Sequence, residues 1–169
     1  TGSAGSTLGF GGGHSLGAAS SVSGANVRFT GGTNTLAGSY VATQSTSFTG
    51  GGTSTLSGTV SGVGTALSAS GGLGIFANAQ GITTGAITIS SGGLTFNNTG
   101  GVAAATLGLS AGTLAGTSAV TVSGLTTWTG GTMTGTGSTV ANGSLSIAGA
   151  TVKDITQRTL VNAGTATWA

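Results

Sequence analysis

The chain has 169 residues, of which 37 are glycine and only 2% are charged, and it contains neither cysteine nor proline. Its isoelectric point near 10.0 rests on three cations (Arg28, Lys153 and Arg158) and one acid (Asp154) rather than on a basic patch. This composition argues against nucleic-acid binding and excludes disulfides, and no apolar run reaches the length of a membrane span. The apolar fraction of 37% indicates a chain with a packed core rather than a disordered linker.

Large apolar residues recur about every 19 or 20 positions along the whole chain. The successive spacings are 19, 19, 19, 22, 20, 19, 19 and 21 residues. This first ladder comprises Phe10, Phe29, Phe48, Leu67, Ile89, Leu109, Trp128, Ile147 and Trp168. A fixed period of this length is typical of repeat architectures, in which each unit packs on its neighbours.

Two further apolar ladders follow the first at fixed offsets. The second comprises Leu16, Leu36, Leu56, Leu73, Leu94, Leu114, Met133 and Val152. The third comprises Val22, Val41, Val60, Ile82, Val102, Val120, Val140 and Leu160. Glycine pairs separate the first two ladders, and apolar residues two positions apart, such as Val27 and Phe29, indicate strands rather than helices.

We therefore predict an all-β fold, a right-handed parallel β-helix. It is a three-faced β-solenoid with about 19–20 residues per rung and eight to nine rungs. Residues 1–169 are expected to form a single solenoid segment of a longer chain. The 22-residue interval from Leu67 to Ile89 predicts one longer rung, with a loop somewhere in 67–89.

The ladders also predict which side chains face the core. The first-ladder residues, Trp128 among them, are expected to point inward. Phe76 and Phe96 lie off this ladder and fit either the core or the surface, whereas Tyr40 is expected to face outward. The segment 152–158, which holds three of the four charges, is expected to be a solvated bend.

The residues needed for catalysis are missing from this chain. General acid–base catalysis needs positioned titratable groups, and the single acid is far along the coil from the single histidine, His14. A zinc or calcium site needs several clustered ligands, which the sequence does not supply. We therefore predict no enzymatic activity, no metal and no cofactor, and we expect His14 to be solvated.

Hydroxyl side chains flank the first ladder in pairs and are expected to point outward. This surface ladder comprises Ser47, Thr49, Thr88, Ser90, Thr127 and Thr129. Flat stacks of Thr-x-Thr are the arrangement of ice-binding β-helices, which makes ice binding an alternative function. The array is interrupted, however, at Arg28, Ala66, Gly108, Ala148 and Ala169.

The segment TTWTGGTMTGTGSTVANGSLSIAGATVKDITQRTLVNAGTATW, residues 126–168, resembles repeats of large secreted bacterial surface proteins. It is similar to the β-helical passenger regions of autotransporters and of filamentous-haemagglutinin-like adhesins. The matching positions are Trp128, Gly130, Gly131, Met133, Gly135, Gly137, Arg158, Thr159, Leu160, Asn162, Gly164, Thr165 and Trp168. The resemblance implies a right-handed parallel β-helix and brings no catalytic or binding residue with it.

These observations predict a structural rod or stalk of a secreted or cell-surface bacterial protein. Neither end of the sequence resembles a cap, and the near absence of charge removes repulsion between copies. The expected partners are other copies of the chain, associating end to end or laterally, or further solenoid repeats of the same chain. A glycan-binding adhesin segment, with its ligand at 67–89, is a second alternative, and the expected location is extracellular.

Overall fold

The computed structural model describes residues 5–169, so the first four residues of the predicted segment lie outside the described residues. The described chain is all-β, with no helix, and winds into a parallel β-solenoid of about 8 turns. The predicted all-β solenoid is thus confirmed, and the handedness stays a prediction.

In residues 5–169 nineteen strands form the coils, and the longer ones bend around a corner from one sheet into the next. They are β1 Thr7–Phe10, β2 His14–Leu16, β3 Ser21–Phe29, β4 Thr33–Leu36, β5 Ser39–Thr49, β6 Thr53–Leu56, β7 Thr59–Val63, β8 Ala66–Phe76, β9 Ile82–Phe96, β10 Val102–Leu109, β11 Thr113–Ala115, β12 Val120–Val122, β13 Leu125–Trp128, β14 Gly131–Thr134, β15 Ser138–Ala141, β16 Ser144–Ile147, β17 Lys153–Thr156, β18 Thr159–Asn162 and β19 Thr165–Trp168.

The strand pairings divide the coil into three parallel sheets. The first sheet runs in the order β1, β3, β5, β8, β9, β10, β13, β16, β19. The second runs β2, β4, β6, β8, β9, β11, β14, β17. The third contains the starts of β3, β5, β9 and β10 together with β7, β12, β15 and β18. The predicted three faces are these sheets.

The first ladder lies in the first sheet, with one error of register. Phe48 pairs with Ala69 rather than with Leu67, and Ala69 pairs with Ile89. Leu67 is fully buried but belongs to the neighbouring inward row with Thr46 and Ile87. The prediction failed because residues two apart on a strand face the same side, so spacing alone could not separate the two rows.

The last member of the first ladder is not in the core. Trp168 pairs with Ile147, as the spacing predicts, but its side chain is 82% exposed because no described strand covers β19. Phe29, Phe48, Ile89, Leu109, Trp128 and Ile147 are buried, and Phe10, in the first coil, is partly buried against the same core.

The second sheet also has two inward rows, which the predicted ladder merged. One row contains Leu16, Leu36, Leu56, Phe76 and Phe96, and the other contains Leu94, Leu114, Met133 and Ile155. Phe76 and Phe96 are therefore core residues, fully buried and stacked with ring centroids 5.3 Å apart. Leu73 pairs with the outward Thr53, and Val152 is 71% exposed in the turn before β17, so neither belongs to the core.

In the third sheet, two predicted ladder positions are shifted by one residue. Tyr40, not Val41, pairs with Val22 and Val60, and the Tyr40 side chain is buried rather than outward. Its hydroxyl lies 2.7 Å from Thr46 Oγ1, and burial raises the pKa of the phenol well above its usual range. Thr139, not Val140, likewise pairs with Val120. A one-residue shift reverses the face of a strand residue, so these errors change which side chain is buried.

The predicted loop at 67–89 is a short corner. Between Leu67 and Ile89 only residues 77–81 lie outside strands. The equivalent corner of the next coil, 97–101, has the same length, so both coils are wide at this edge. Since Ile89 pairs with Ala69 rather than with Leu67, the interval along this row is 20 residues, and the predicted 22-residue rung came from the misassigned ladder position. Narrow corners elsewhere depend on glycine: Gly92 has φ +67°, and a Cβ there would overlap the carbonyl of Gly72 in the coil below.

We predict that two threonines in the same inward row respond oppositely to replacement by valine. Thr126 Oγ1 is buried and has no hydrogen-bond partner among the described residues, whereas the Thr46 hydroxyl is bonded to Tyr40. Thr126→Val should therefore raise the free energy of unfolding by about 1 kcal/mol, and Thr46→Val should lower it by about 1 kcal/mol or more. Urea unfolding measures the free energy of unfolding of each variant. Equal changes in this free energy for the two variants would contradict the assignment of Thr126 and Thr46 to the inward row.

Candidate functional site: outward rows, a corner groove and the C-terminal coil

The charged residues do not form a cluster that could carry catalysis. Within residues 5–169 no three His, Cys, Asp or Glu side chains lie together as metal ligands would. His14 lies at the exposed start of the second sheet, edge-on to the ring of Phe10 at 5.5 Å. Lys153 Nζ donates to the carbonyls of Gly149 and Thr151, which holds the turn before β17. These contacts are structural.

Arg158 departs most from the expected solvated bend. Its side chain is only 4% exposed, and its guanidinium lies inside the corner between the second and third sheets. Nε donates to Thr139 Oγ1 at 2.8 Å, Nη1 to the carbonyl of Gly116 at 3.2 Å, and Nη2 to the carbonyls of Ser118 at 3.1 Å and Ser138 at 2.7 Å. All four acceptors are neutral oxygens. Desolvation lowers the pKa of Arg158 to about 10, so the group remains a cation at neutral pH.

Arg158 continues a polar column that begins in the wide corners. Asn98 Nδ2 donates to the carbonyls of Gln80 and Gly101, and Ser118 Oγ donates to the carbonyl of Asn98 at 2.6 Å. Each of these side chains thus satisfies backbone groups of its own or a neighbouring coil. Arg158 spans two coils in the same way, from the corner before β18 to the carbonyls before β12, because its side chain is long enough to reach them.

We predict that removing this guanidinium destabilises the solenoid. Arg158→Ala removes the guanidinium donors from four acceptors around an internal space, of which the carbonyl of Gly116 keeps the N–H of Gly137, so the free energy of unfolding should fall by about 2–4 kcal/mol. The matched control is Arg28→Ala, since Arg28 is exposed and makes one hydrogen bond, to Thr49 Oγ1. Its loss should cost less than about 1 kcal/mol. Equal chemical-denaturation midpoints for the two variants would show that the internal hydrogen bonds of Arg158 are not stabilising.

The predicted surface ladder does lie on the outer side of the first sheet. Ser47, Thr88 and Thr127 share one outward row, which Ser68, Ser146 and Thr167 extend and Gly108 interrupts. Their predicted partners in each pair, Thr49, Ser90 and Thr129, lie two residues further along at the end of each strand segment. The Thr49 hydroxyl accepts a hydrogen bond from Arg28 and bonds the carbonyl of Phe29, so it is not free for a ligand.

A longer hydroxyl array lies on the second sheet, where the sequence interpretation did not place one. Two outward rows run along this sheet, two residues apart on every strand. The threonines in these rows are Thr33, Thr53, Thr113 and Thr132 in one, and Thr35, Thr55, Thr95, Thr134 and Thr156 in the other. None of their hydroxyls bonds a protein group of the described chain. The repeated strings TNTL and TSTL were the sequence signal for this array.

A groove follows the corner between the second and third sheets. Its volume is about 560 Å³, and it runs past Ser20, Ser39 and Thr59 to Gln80, at the first wide corner. Small residues and hydroxyls line it, and no aromatic ring is among its described lining residues. The groove thus lacks the stacking platform that an aromatic side chain would give a sugar ring, and glycan binding at 67–89 stays a prediction.

The C-terminal coil, Lys153–Trp168, exposes apolar side chains that earlier coils bury. Ile155 is 46% exposed and Trp168 is 82% exposed, although their counterparts one coil earlier, Met133 and Ile147, are buried. An apolar cavity of about 530 Å³ opens here, with Trp128 and Ile147 at its base and Ile155, Leu160 and Trp168 around it. It is the open end of the core.

Comparison with known proteins gives no family for this chain: no family model matches it, and neither a curated protein nor a solved structure does. In the described residues there is also no helix with the length and apolarity needed to cross a bilayer.

Proposed function

We propose that the chain is a non-catalytic structural rod, the stalk of a secreted or cell-surface bacterial protein. The observation that carries this proposal is the continuous parallel pairing of one sheet from β1 to β19, across every coil. Stacked coils with about 4.8 Å between strands make a rod of about 38 Å over these eight steps. Most of the large apolar side chains pack in its core.

The motif that resembles bacterial surface proteins supports the proposal, because its residues have architectural roles. Trp128 is buried and donates from Nε1 to the carbonyl of Gly131 at 3.3 Å. Gly131 and Gly135 have φ of +86° and +88°, which suit glycine. Arg158 reaches two coils back past Gly137, where a Cβ would crowd its guanidinium. The residues of this motif stabilise the coil, as expected for a protein segment that acts as a spacer.

The proposed partners are further coils of the same chain or other copies of it, and the proposed location is outside the cell. Two features support this. The near absence of charge permits close packing of rods, and the resemblance of residues 126–168 is to secreted proteins. In this role the length and stiffness of the rod matter, and no individual surface side chain is essential.

The location is tested with an antibody raised against the folded 169-residue chain. For a cell-surface protein, we expect the antibody to label intact cells of the native source as strongly as permeabilised cells. For a secreted protein, we expect it to detect the protein in the medium. The control is an antibody against a cytoplasmic protein, which should label permeabilised cells only. Labelling that appears only after permeabilisation would contradict the stalk of a surface protein.

A second candidate function, ice binding, is favoured by the two threonine rows of the second sheet. Thr33, Thr35, Thr53 and Thr55 form adjacent Thr-x-Thr pairs whose hydroxyls bond no protein group within residues 5–169. Regularly spaced hydroxyl and methyl groups on a rigid sheet can hold ordered water. The rows are broken at Leu73, Ile75, Gly93, Ala115 and Asp154, which shortens the regular area.

The ice-binding candidate predicts that thermal hysteresis depends on the second sheet and not on the first. Thr55→Tyr places a bulky ring in the array and should abolish thermal hysteresis, because it separates the surface from the ice. Thr127→Tyr, in the outward row of the first sheet, is the matched control and should leave it unchanged. No thermal hysteresis in the unaltered chain, or equal loss in both variants, would rule out the second-sheet array.

A further inference from the structure

One exposed corner of the solenoid has the chemistry for a spontaneous covalent change. Asn142 and Gly143 form the corner between β15 in the third sheet and β16 in the first, and Asn142 is exposed. Of the asparagines in the chain, only Asn142 is followed by glycine. We propose that Asn142 is a modification site, at which water replaces the side-chain amide and leaves an aspartate or an isoaspartate. This modification is independent of the proposed function as a rod.

The reaction needs only the chain and water. The backbone nitrogen of Gly143 gives up its proton to solvent base and attacks Cγ of Asn142, which closes a succinimide ring. The Cγ–Nδ2 bond breaks, and the side-chain nitrogen leaves as ammonia. Water then opens the ring: cleavage between the nitrogen and Cγ gives aspartate, and cleavage between the nitrogen and the backbone carbonyl carbon of Asn142 gives isoaspartate. Nothing is oxidised or reduced, and the balance is one water consumed and one ammonia released.

The hydrogen bonds around this corner leave both reacting groups free. In residues 5–169 neither the N–H of Gly143 nor the side chain of Asn142 has a hydrogen-bond partner. The next N–H along the chain is engaged, since Ser144 donates to the carbonyl of Gly124 at 3.2 Å. Glycine has no Cβ to shield its backbone nitrogen from the side chain before it. The attacking nitrogen therefore has no native hydrogen bond to lose and an open path to Cγ.

Asn97 and Asn162, which are also exposed, are held differently in the described part of the chain. The residue after Asn162 is Ala163, whose N–H donates to the carbonyl of Ala141 at 2.9 Å. Asn97 Oδ1 accepts a hydrogen bond from the N–H of Thr117 at 3.1 Å, which fixes the side chain against the next coil. At one site the attacking nitrogen is held, and at the other the side chain, so Asn142 should react first.

The two products differ in their effect on the corner. Both add a negative charge to a chain whose formal net charge is +2. Isoaspartate also routes the backbone through the side-chain carbons, which lengthens the corner by one atom. The corner is closely stacked: a Cβ on Gly143 would lie 2.5 Å from the carbonyl oxygen of Gly124, and the Gly143 carbonyl accepts from the N–H of Thr165 at 3.3 Å. Isoaspartate should therefore weaken the contacts between coils, whereas aspartate should keep them.

Mass spectrometry of the aged protein locates the modification. The folded, unaltered chain is kept in mildly alkaline buffer and digested at acidic pH after increasing times. We expect the peptide that contains Asn142 to gain one dalton before those that contain Asn97 or Asn162, and isoelectric focusing to show a more acidic form. Asn142→Gln should slow the appearance of this form by at least about tenfold, because the larger ring closes less readily. An unchanged rate in this variant would overturn the site.

Ala163→Gly separates the role of the fold from that of the sequence. The variant gives Asn162 a following glycine, but its N–H should still donate to the carbonyl of Ala141. In the folded chain Asn162 should react at least about tenfold more slowly than Asn142, and in concentrated urea the two rates should agree within about threefold. Equal rates in the folded chain would overturn the role of the free N–H of Gly143. Reaction at Asn142 only in urea would overturn the site.

Urea unfolding of the separated products tests the effect on the corner. Chromatography separates the isoaspartate form, and Asn142→Asp supplies the aspartate form directly. We expect the isoaspartate form to unfold at a lower urea concentration than the unaltered chain, and Asn142→Asp to unfold at the same concentration. Equal midpoints for all three would overturn the weakening of the coil contacts. A midpoint lowered equally in both products would assign the effect to the charge and overturn the role of the lengthened backbone.

Discussion

Parallel backbone hydrogen bonding between successive coils is the constraint on which the rest of this structure depends. Each coil contributes strands to the three sheets, and in the first sheet each strand pairs with the strand about 20 residues further on. The pairing stacks equivalent residues in rows, so an inward position is inward in almost every coil. Because most inward positions are buried from solvent, these rows hold mainly apolar side chains and polar groups that find a partner.

Most internal polar side chains meet this requirement, and Thr126 Oγ1 is an exception among the described residues. The Tyr40 hydroxyl is bonded to Thr46, and the guanidinium of Arg158 is bonded to four neutral oxygens. Arg158 reaches backbone carbonyls some 40 residues earlier in the chain, so it ties three coils together. The Arg158 cation therefore acts as a structural cross-link between coils. This role is consistent with a chain whose charged side chains stabilise its fold.

The architecture could be predicted from the sequence because the period of the apolar residues follows from the coil length. The faces of Phe29, Ile89 and Trp128 were predicted for this reason. The exact row of each inward residue could not be predicted. Leu67 and Ala69 both face inward, and only the strand pairing shows that Ala69, not Leu67, lies in the row of Phe48. The position of Arg158 had no local signal, because its partners lie one and two coils away. The threonine rows of the second sheet had a signal, the repeated TNTL and TSTL, but these strings also read as turn residues.

The central claim, one continuous register along a rod, is tested most directly by distances between spin labels on cysteines introduced into the cysteine-free chain. Ser47, Thr127 and Thr167 share an outward row, four and six steps apart along the first sheet. We predict narrow distributions near 19 Å for Ser47→Cys with Thr127→Cys, and near 29 Å for Ser47→Cys with Thr167→Cys, at about 4.8 Å per step. Broad distributions, or a second distance no longer than the first, would contradict the stacked coil.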